Sequence, residues 1–245
     1  MSTQIETKWL IILLLLMFPA AACAIPVIGG GAPPAPPTPL GDTLTLLVPI
    51  YNINLEAGQT IPGTRLTYLR ENNGVYEVTI DGLQANKRSG DSFSWKGVIA
   101  PGVIGAYNLR LTTTLFGRLV AAGPINVTIF NPEPVPGAGD HGASSEALYF
   151  NNIAVEYTIP QGRIIPGTNL IFQRVIEPTD SAQGVSPPMV ELSGSAGYPY
   201  FALGDSLVWA GRLRENVWIR YSLRIVHIDD NGLRIGGTAE LWVDQ

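Results

Sequence analysis

Gly90-Asp91-Ser92-Phe93-Ser94-Trp95-Lys96-Gly97 recurs as Gly204-Asp205-Ser206-Leu207-Val208-Trp209-Ala210-Gly211. Outward from that pair, Ile61-Pro62-Gly63-Thr64 returns as Ile165-Pro166-Gly167-Thr168, and Tyr107-Asn108-Leu109-Arg110 as Tyr221-Ser222-Leu223-Arg224. Landmarks repeated in the same order mean one structural unit written twice. The Ile-Pro-Gly-Thr motifs lie 104 residues apart (165 minus 61) and the Gly-Asp-Ser motifs 114 (204 minus 90), so the second copy carries ten extra residues between them. Residues shared by the copies are requirements of the fold. Function is sought where the copies differ.

Both copies alternate like strands. Tyr107, Leu109 and Leu111 share one face and Asn108, Arg110 and Thr112 the other; Ile219, Tyr221, Leu223 and Ile225 oppose Arg220, Ser222 and Arg224 in the same way. Period two over this length predicts half-buried antiparallel strands. Six such segments occur in each copy, near 43–54, 64–71, 75–81, 91–99, 106–115 and 119–130, then near 147–158, 168–176, 188–194, 205–213, 219–225 and 233–244. The expected fold is all-β: two tandem, duplicated six-stranded antiparallel domains, each a β-sandwich or open barrel. The expected boundaries are a signal peptide at 1–24, a proline-rich spacer at 25–41, β-domain 1 at 42–131, a linker at 132–146 and β-domain 2 at 147–245.

The N-terminal reading rests on an apolar run from Trp9 to Phe18 after Lys8, followed by Pro19-Ala20-Ala21-Ala22-Cys23-Ala24. That is the shape of a secretory signal, too short to span a bilayer comfortably. Cys23 is the sole cysteine, so the exported part has no disulfide and depends on its core. Phe18 to Cys23 resembles a bacterial lipoprotein box, which implies a lipid on Cys23 and a membrane anchor. Cleavage after Ala24 is the alternative and leaves a secreted protein. Ala32-Pro33-Pro34-Ala35-Pro36-Pro37-Thr38-Pro39 then reads as a stiff polyproline spacer. Residues 41–131 hold seven basic and six acidic residues and 147–245 hold seven and ten, so neither has the basic excess that nucleic-acid binding needs.

Catalysis finds little footing. The only histidines, His141 and His227, do not recur with the Gly-Asp-Ser motif, and a serine nucleophile needs a base within hydrogen-bond reach. Gly-Asp-Ser before a strand is turn chemistry, and Asp229-Asp230-Asn231-Gly232 reads as a hairpin turn, since it lacks the spaced oxygens of a calcium site. No enzyme activity, cofactor or metal is expected. Trp95 and Trp209 share parity with Phe93 and Leu207 and point to the core.

The differences between the copies mark the candidate binding surface. Trp218 and Trp242 lie on polar faces, Trp218 beside Arg220 and Arg224, where the first copy has Ile104, Ala106, Asn108 and Thr128. Tyr198-Pro199-Tyr200-Phe201 replaces a stretch aligned with Asn86-Lys87-Arg88-Ser89, as a lid or a recognition loop. A three-residue loop at Asp230-Asn231-Gly232, with Gly232 left-handed, is expected to set Arg220 opposite Trp242 and Tyr221 opposite Leu241. The reading is an exported, lipid-anchored bacterial envelope protein acting as a non-catalytic binding or assembly module on an envelope protein or glycan. An envelope hydrolase acting on glycan or peptide, and a structural spacer subunit, are the alternatives.

Overall fold

Alternation becomes burial. From Val217 to Ile225 the odd residues are buried, while Arg220, Ser222 and Arg224 are exposed. The computed structural model describes residues 43–115, 117–137, 147–178, 180–181, 184–185, 187–229 and 232–245. The first half comprises β1 (Thr43–Leu55), β2 (Leu66–Asn72), β3 (Val75–Ile80), β4 (Leu83–Lys87), β5 (Ser92–Ala100), β6 (Val103–Leu115) and β7 (Arg118–Phe130). Next come β8 (Val135–Pro136), β9 (Leu148–Ile159), β10 (Ile171–Ile176), β11 (Asp180–Ser181), β12 (Gly184–Val185), β13 (Met189–Ser193), β14 (Tyr200–Ala202), β15 (Ser206–Arg214), β16 (Val217–Asp229) and β17 (Gly232–Val243). No helix occurs among the described residues.

Two strands escape the sequence pattern. Leu83–Lys87 has no β-branched residue, yet it pairs with β3 because Asp81-Gly82, both at positive φ (53° and 82°), closes a tight hairpin. β14 takes the corresponding place against β13. The ten extra residues fall between β10 and β13, around the short β11–β12 ladder, where the first half turns on Asn73-Gly74.

The layout differs from two separate six-stranded domains. One nine-stranded sheet runs β5-β6-β7-β1-β9-β17-β16-β15-β8 and reads alike from its two ends: β5-β6-β7-β1 and β15-β16-β17-β9. The halves meet where β1 pairs antiparallel with β9, Leu47 opposite Ala154. The small sheets β2-β3-β4 and β10-β13-β14 contribute Tyr68, Val78, Phe172 and Leu192 to a hydrophobic core that spans both halves. The described residues form one compact unit. The stretch expected to be pure linker also contributes a strand: Val135 and Pro136 of β8 pair with Arg212 and Gly211 of β15.

The seam is reciprocal. A Cβ on Gly63 would lie 2.6 Å from Leu148, and one on Gly167 would lie 2.9 Å from Leu44, so each Ile-Pro-Gly-Thr loop rests on the other half's first strand. Tyr51 of β1 packs on Phe150 of β9. The sheet curls until the β15–β16 turn reaches the first half, where Arg214 donates to the carbonyls of Phe130 and Asn131 and Asn216 donates to that of Pro101.

Local chemistry explains the repeated motifs. Asp91 Oδ2 accepts the Arg88 N–H at 2.8 Å, and Asp205 Oδ2 accepts the Ala202 N–H at 2.8 Å, so both aspartates fasten turns. Thr64 and Thr168 each donate to the carbonyl three residues back and accept the N–H two residues on. The indoles of Trp95 and Trp209 are buried and fold over Gly97 and Gly211, where a Cβ would strike the ring. That is why the motif ends Trp-x-Gly.

Candidate binding surface

On the outward side of the second half, β-pairing aligns one row across five strands. Val135 faces Arg212, Arg212 faces Trp218, Trp218 faces Trp242, and Trp242 faces Tyr149. The corresponding first-half row is Val98, Ile104, Thr128 and Thr45, closed by a Thr45–Thr128 hydroxyl contact at 3.1 Å. An aromatic and arginine row therefore replaces aliphatic and threonine residues in one half only.

Tyr149 and Trp242 stack on each other, with ring centroids 5.2 Å apart and planes inclined by 26°. Both tryptophans are half-buried and Tyr149 is 45% exposed, so the row is neither core nor fully solvated. The Tyr149 hydroxyl donates to Glu240 Oε1 at 2.6 Å. That bond, with burial and the Glu240 charge, pushes the phenol up to about 12. The stack covers one face of each ring. That geometry suits a packed protein contact, rich in Trp, Tyr and Arg, better than the flat stacking of a sugar ring.

The hairpin register is two residues away from expectation. Trp218 faces Trp242, Arg220 faces Glu240, Ser222 faces Thr238 and Tyr221 faces Ala239. Gly232 has the expected positive φ, at 138°, but it pairs with Asp229, and a bulge between Ile225 and His227 absorbs a residue. A shift of two preserves which face each side chain takes, so the outward row survives while its partners change. Arg224 faces Gly236 on one side and Ser206 on the other, away from the aromatic row. Tyr149 and Arg212 are members that the sequence reading missed. Tyr149 was legible as the outward counterpart of Thr45, 104 residues on.

Tyr198, Tyr200 and Phe201 are not part of that row. Asp205 holds Ala202 as Asp91 holds Arg88, which makes 84–87 the true counterpart of 198–201, two residues before the expected stretch. Tyr198 is 68% exposed and meets Tyr200 edge-on at 5.2 Å, while Phe201 packs partly against the core. With Leu170, Trp209 and the Gly194–Gly197 loop, Tyr198 and Phe201 line a groove of about 450 Å³ beside β15. Trp209 Nε1 donates to Asn169 Oδ1 at 2.8 Å, and Asn169 Nδ2 donates to the Gly194 carbonyl at 3.0 Å, fixing one wall.

His227 lies 3.2 Å from Asp229 on an exposed strand end, two residues beyond Ile225, which bonds the Gly204-Asp205 turn, while the first copy has no histidine at all. No group of three or more His, Cys, Asp or Glu placed to hold a metal occurs among the described residues. Cys23, His141, Asp230 and Asn231 lie outside the described residues. No protein-family model, curated protein or solved structure matches the chain.

Proposed function

We propose that the chain is an exported, lipid-anchored envelope protein that acts as a non-catalytic binding or assembly module, built by duplication of one β unit. The observation that carries this reading is the row Arg212–Trp218–Trp242–Tyr149, present on one half and replaced by Val98, Ile104, Thr128 and Thr45 on the other. Duplication supplies a scaffold, and change on one copy's outer face supplies a contact. The mirrored strand order supports the duplication, and the self-stacked rings favour an envelope protein over a glycan as partner. The continuous sheet lends weight to the structural-spacer alternative. A hydrolase gains no support from the turn-fastening roles of Asp91 and Asp205.

The test has two arms. Mass spectrometry of the natively processed protein is expected to find an acylated Cys23; an unmodified terminus at Ile25 removes the anchor. The double substitution Trp218→Ala and Trp242→Ala is expected to abolish recovery of the partner that co-purifies with the native protein. Because both rings are half-exposed, the melting temperature should fall by only a few degrees. Unfolding of the double variant, or undiminished recovery of the partner, would show that the row is packing.

A further inference from the structure

Among the described residues, β15 is an edge strand covered over only part of its length. β8 pairs with Gly211 and Arg212, and the Gly137 N–H reaches the Ala210 carbonyl at 3.2 Å, the last contact of this segment among the described residues. The Asp205 carbonyl accepts the Ile225 N–H from β16. Backbone groups of residues two apart on a strand point to the same side. Leu207 and Trp209 thus face β16, and Ser206, Val208 and Ala210 turn their N–H and C=O groups to the edge.

That edge forms one side of the 450 Å³ groove. Pro136 and Gly137 close one end, the Gly194–Tyr198 loop forms the opposite wall, and Leu170, Phe201 and Trp209 contribute apolar surface. Among the described residues, no charged side chain lines it. At the first-half position corresponding to Ser195, Asp81 reaches across to Trp95 Nε1 at 2.9 Å. Ser195 instead turns back to the Gly197 and Tyr198 carbonyls of its own loop.

We infer that the groove is a peptide-docking site: an extended, uncharged segment of a partner protein adds to β15 antiparallel, continuing the line of β8. Main-chain bonds to Val208 and Ser206 would hold it, and alternate apolar side chains would enter between Tyr198, Phe201 and Trp209. This deepens the binding-module reading and rests on it. The chain's own residues 138–147 are too short to take the whole site. Leu148 is level with Arg214 through Val243 and Val217, three strands away. A segment that followed β15 to Ser206 would then have to cover about 30 Å with the roughly 24 Å of reach left to it.

The probe is a random heptapeptide display library panned on the mature full chain, with enriched sequences synthesised and titrated. The expected sequences are uncharged, with apolar residues at alternate positions. Val208→Pro deletes one edge-facing N–H that β16 does not use, so it should fold and bind about tenfold more weakly. Ser94→Pro, at the same position on β5, should leave affinity within about twofold. If Val208→Pro fails to fold, Tyr198→Ala with Phe201→Ala must lower affinity instead. Bound peptide should slow amide exchange at Ser206 and Val208. Peptides that bind Val208→Pro equally well, or no enrichment over blank support, overturn the inference. So does protection of Val208 in the free protein, which assigns the groove to residues 138–147, or a dimer that Val208→Pro dissolves. The outer-face double substitution reads a separate surface, so the two claims fail separately.

Discussion

Alanine at Gly167 is expected to destabilise the whole protein by roughly 2–4 kcal/mol, from overpacking and from backbone strain together. Gly167 has φ of 72°, a left-handed conformation that alanine adopts at a cost of about 1–2 kcal/mol. The added methyl would lie 2.6 Å from the Tyr221 hydroxyl and 2.9 Å from Leu44, both buried. Gly63→Ala repeats the insult at the other side of the seam, 2.6 Å from Leu148. Because one core spans the halves, each variant should unfold in a single transition, with tryptophan fluorescence and far-ultraviolet circular dichroism coincident. The described tryptophans are unevenly shared, Trp95 in the first half and Trp209, Trp218 and Trp242 in the second. Gly63→Ala therefore gives the sharper test. Its loop belongs to the first half, yet it should lower the urea midpoint read by tryptophan fluorescence. An unmoved fluorescence midpoint, or two separate transitions, would show that the halves fold independently.

The sequence made side-chain facing legible and left strand partnership obscure. Period two assigns Tyr221, Leu223 and Ile225 inward whatever lies next to them, and those residues are buried. Turn chemistry was equally readable at Asp91 and Asp205, because each bond closes within three residues. Register was not, since the bulge after Ile225 depends on how β16 and β17 twist together. The β1–β9 junction had no local signal either. Both strands break their alternation midway, at Pro49-Ile50 and Asn151-Asn152, where the pairing of β1 with β7 and of β9 with β17 shifts register. β8 is two residues long, follows Pro134 and ends in Pro136, so composition argued for a linker while an exposed edge recruited it as a strand. The outward aromatic row suffered from the same limit. Trp218 and Trp242 were visible as outward aromatics, but Tyr149 joins them only through a pairing that nothing within β9 announces.

Raising the pH above 10 is expected to collapse stability steeply, through phenols held in the core. Burial pushes the hydroxyls of Tyr51, Tyr107, Tyr157 and Tyr221 above their ordinary value of 10, with Tyr221 completely enclosed. The folded state keeps these groups protonated where the unfolded chain ionises them, so above pH 10 the unfolded chain binds fewer protons. Stability is then fully present below pH 10 and falls as pH rises toward the raised folded values. Several such phenols act on one cooperative core, so phenolate absorbance and loss of far-ultraviolet circular dichroism should rise together in an alkaline titration. Tyr149 should behave differently, because it is 45% exposed and its shift to about 12 comes first from the bond to Glu240. Its contribution is present below pH 10 and is lost through about pH 12, and Glu240→Gln should move its titration back toward 10 while the core phenols stay coupled to unfolding. A midpoint of urea unfolding that stays constant from pH 9 to about pH 11 would contradict the buried-phenol account. A titration of Tyr149 unaffected by Glu240→Gln would separately show that the hydroxyl bond across the outer row does not control it.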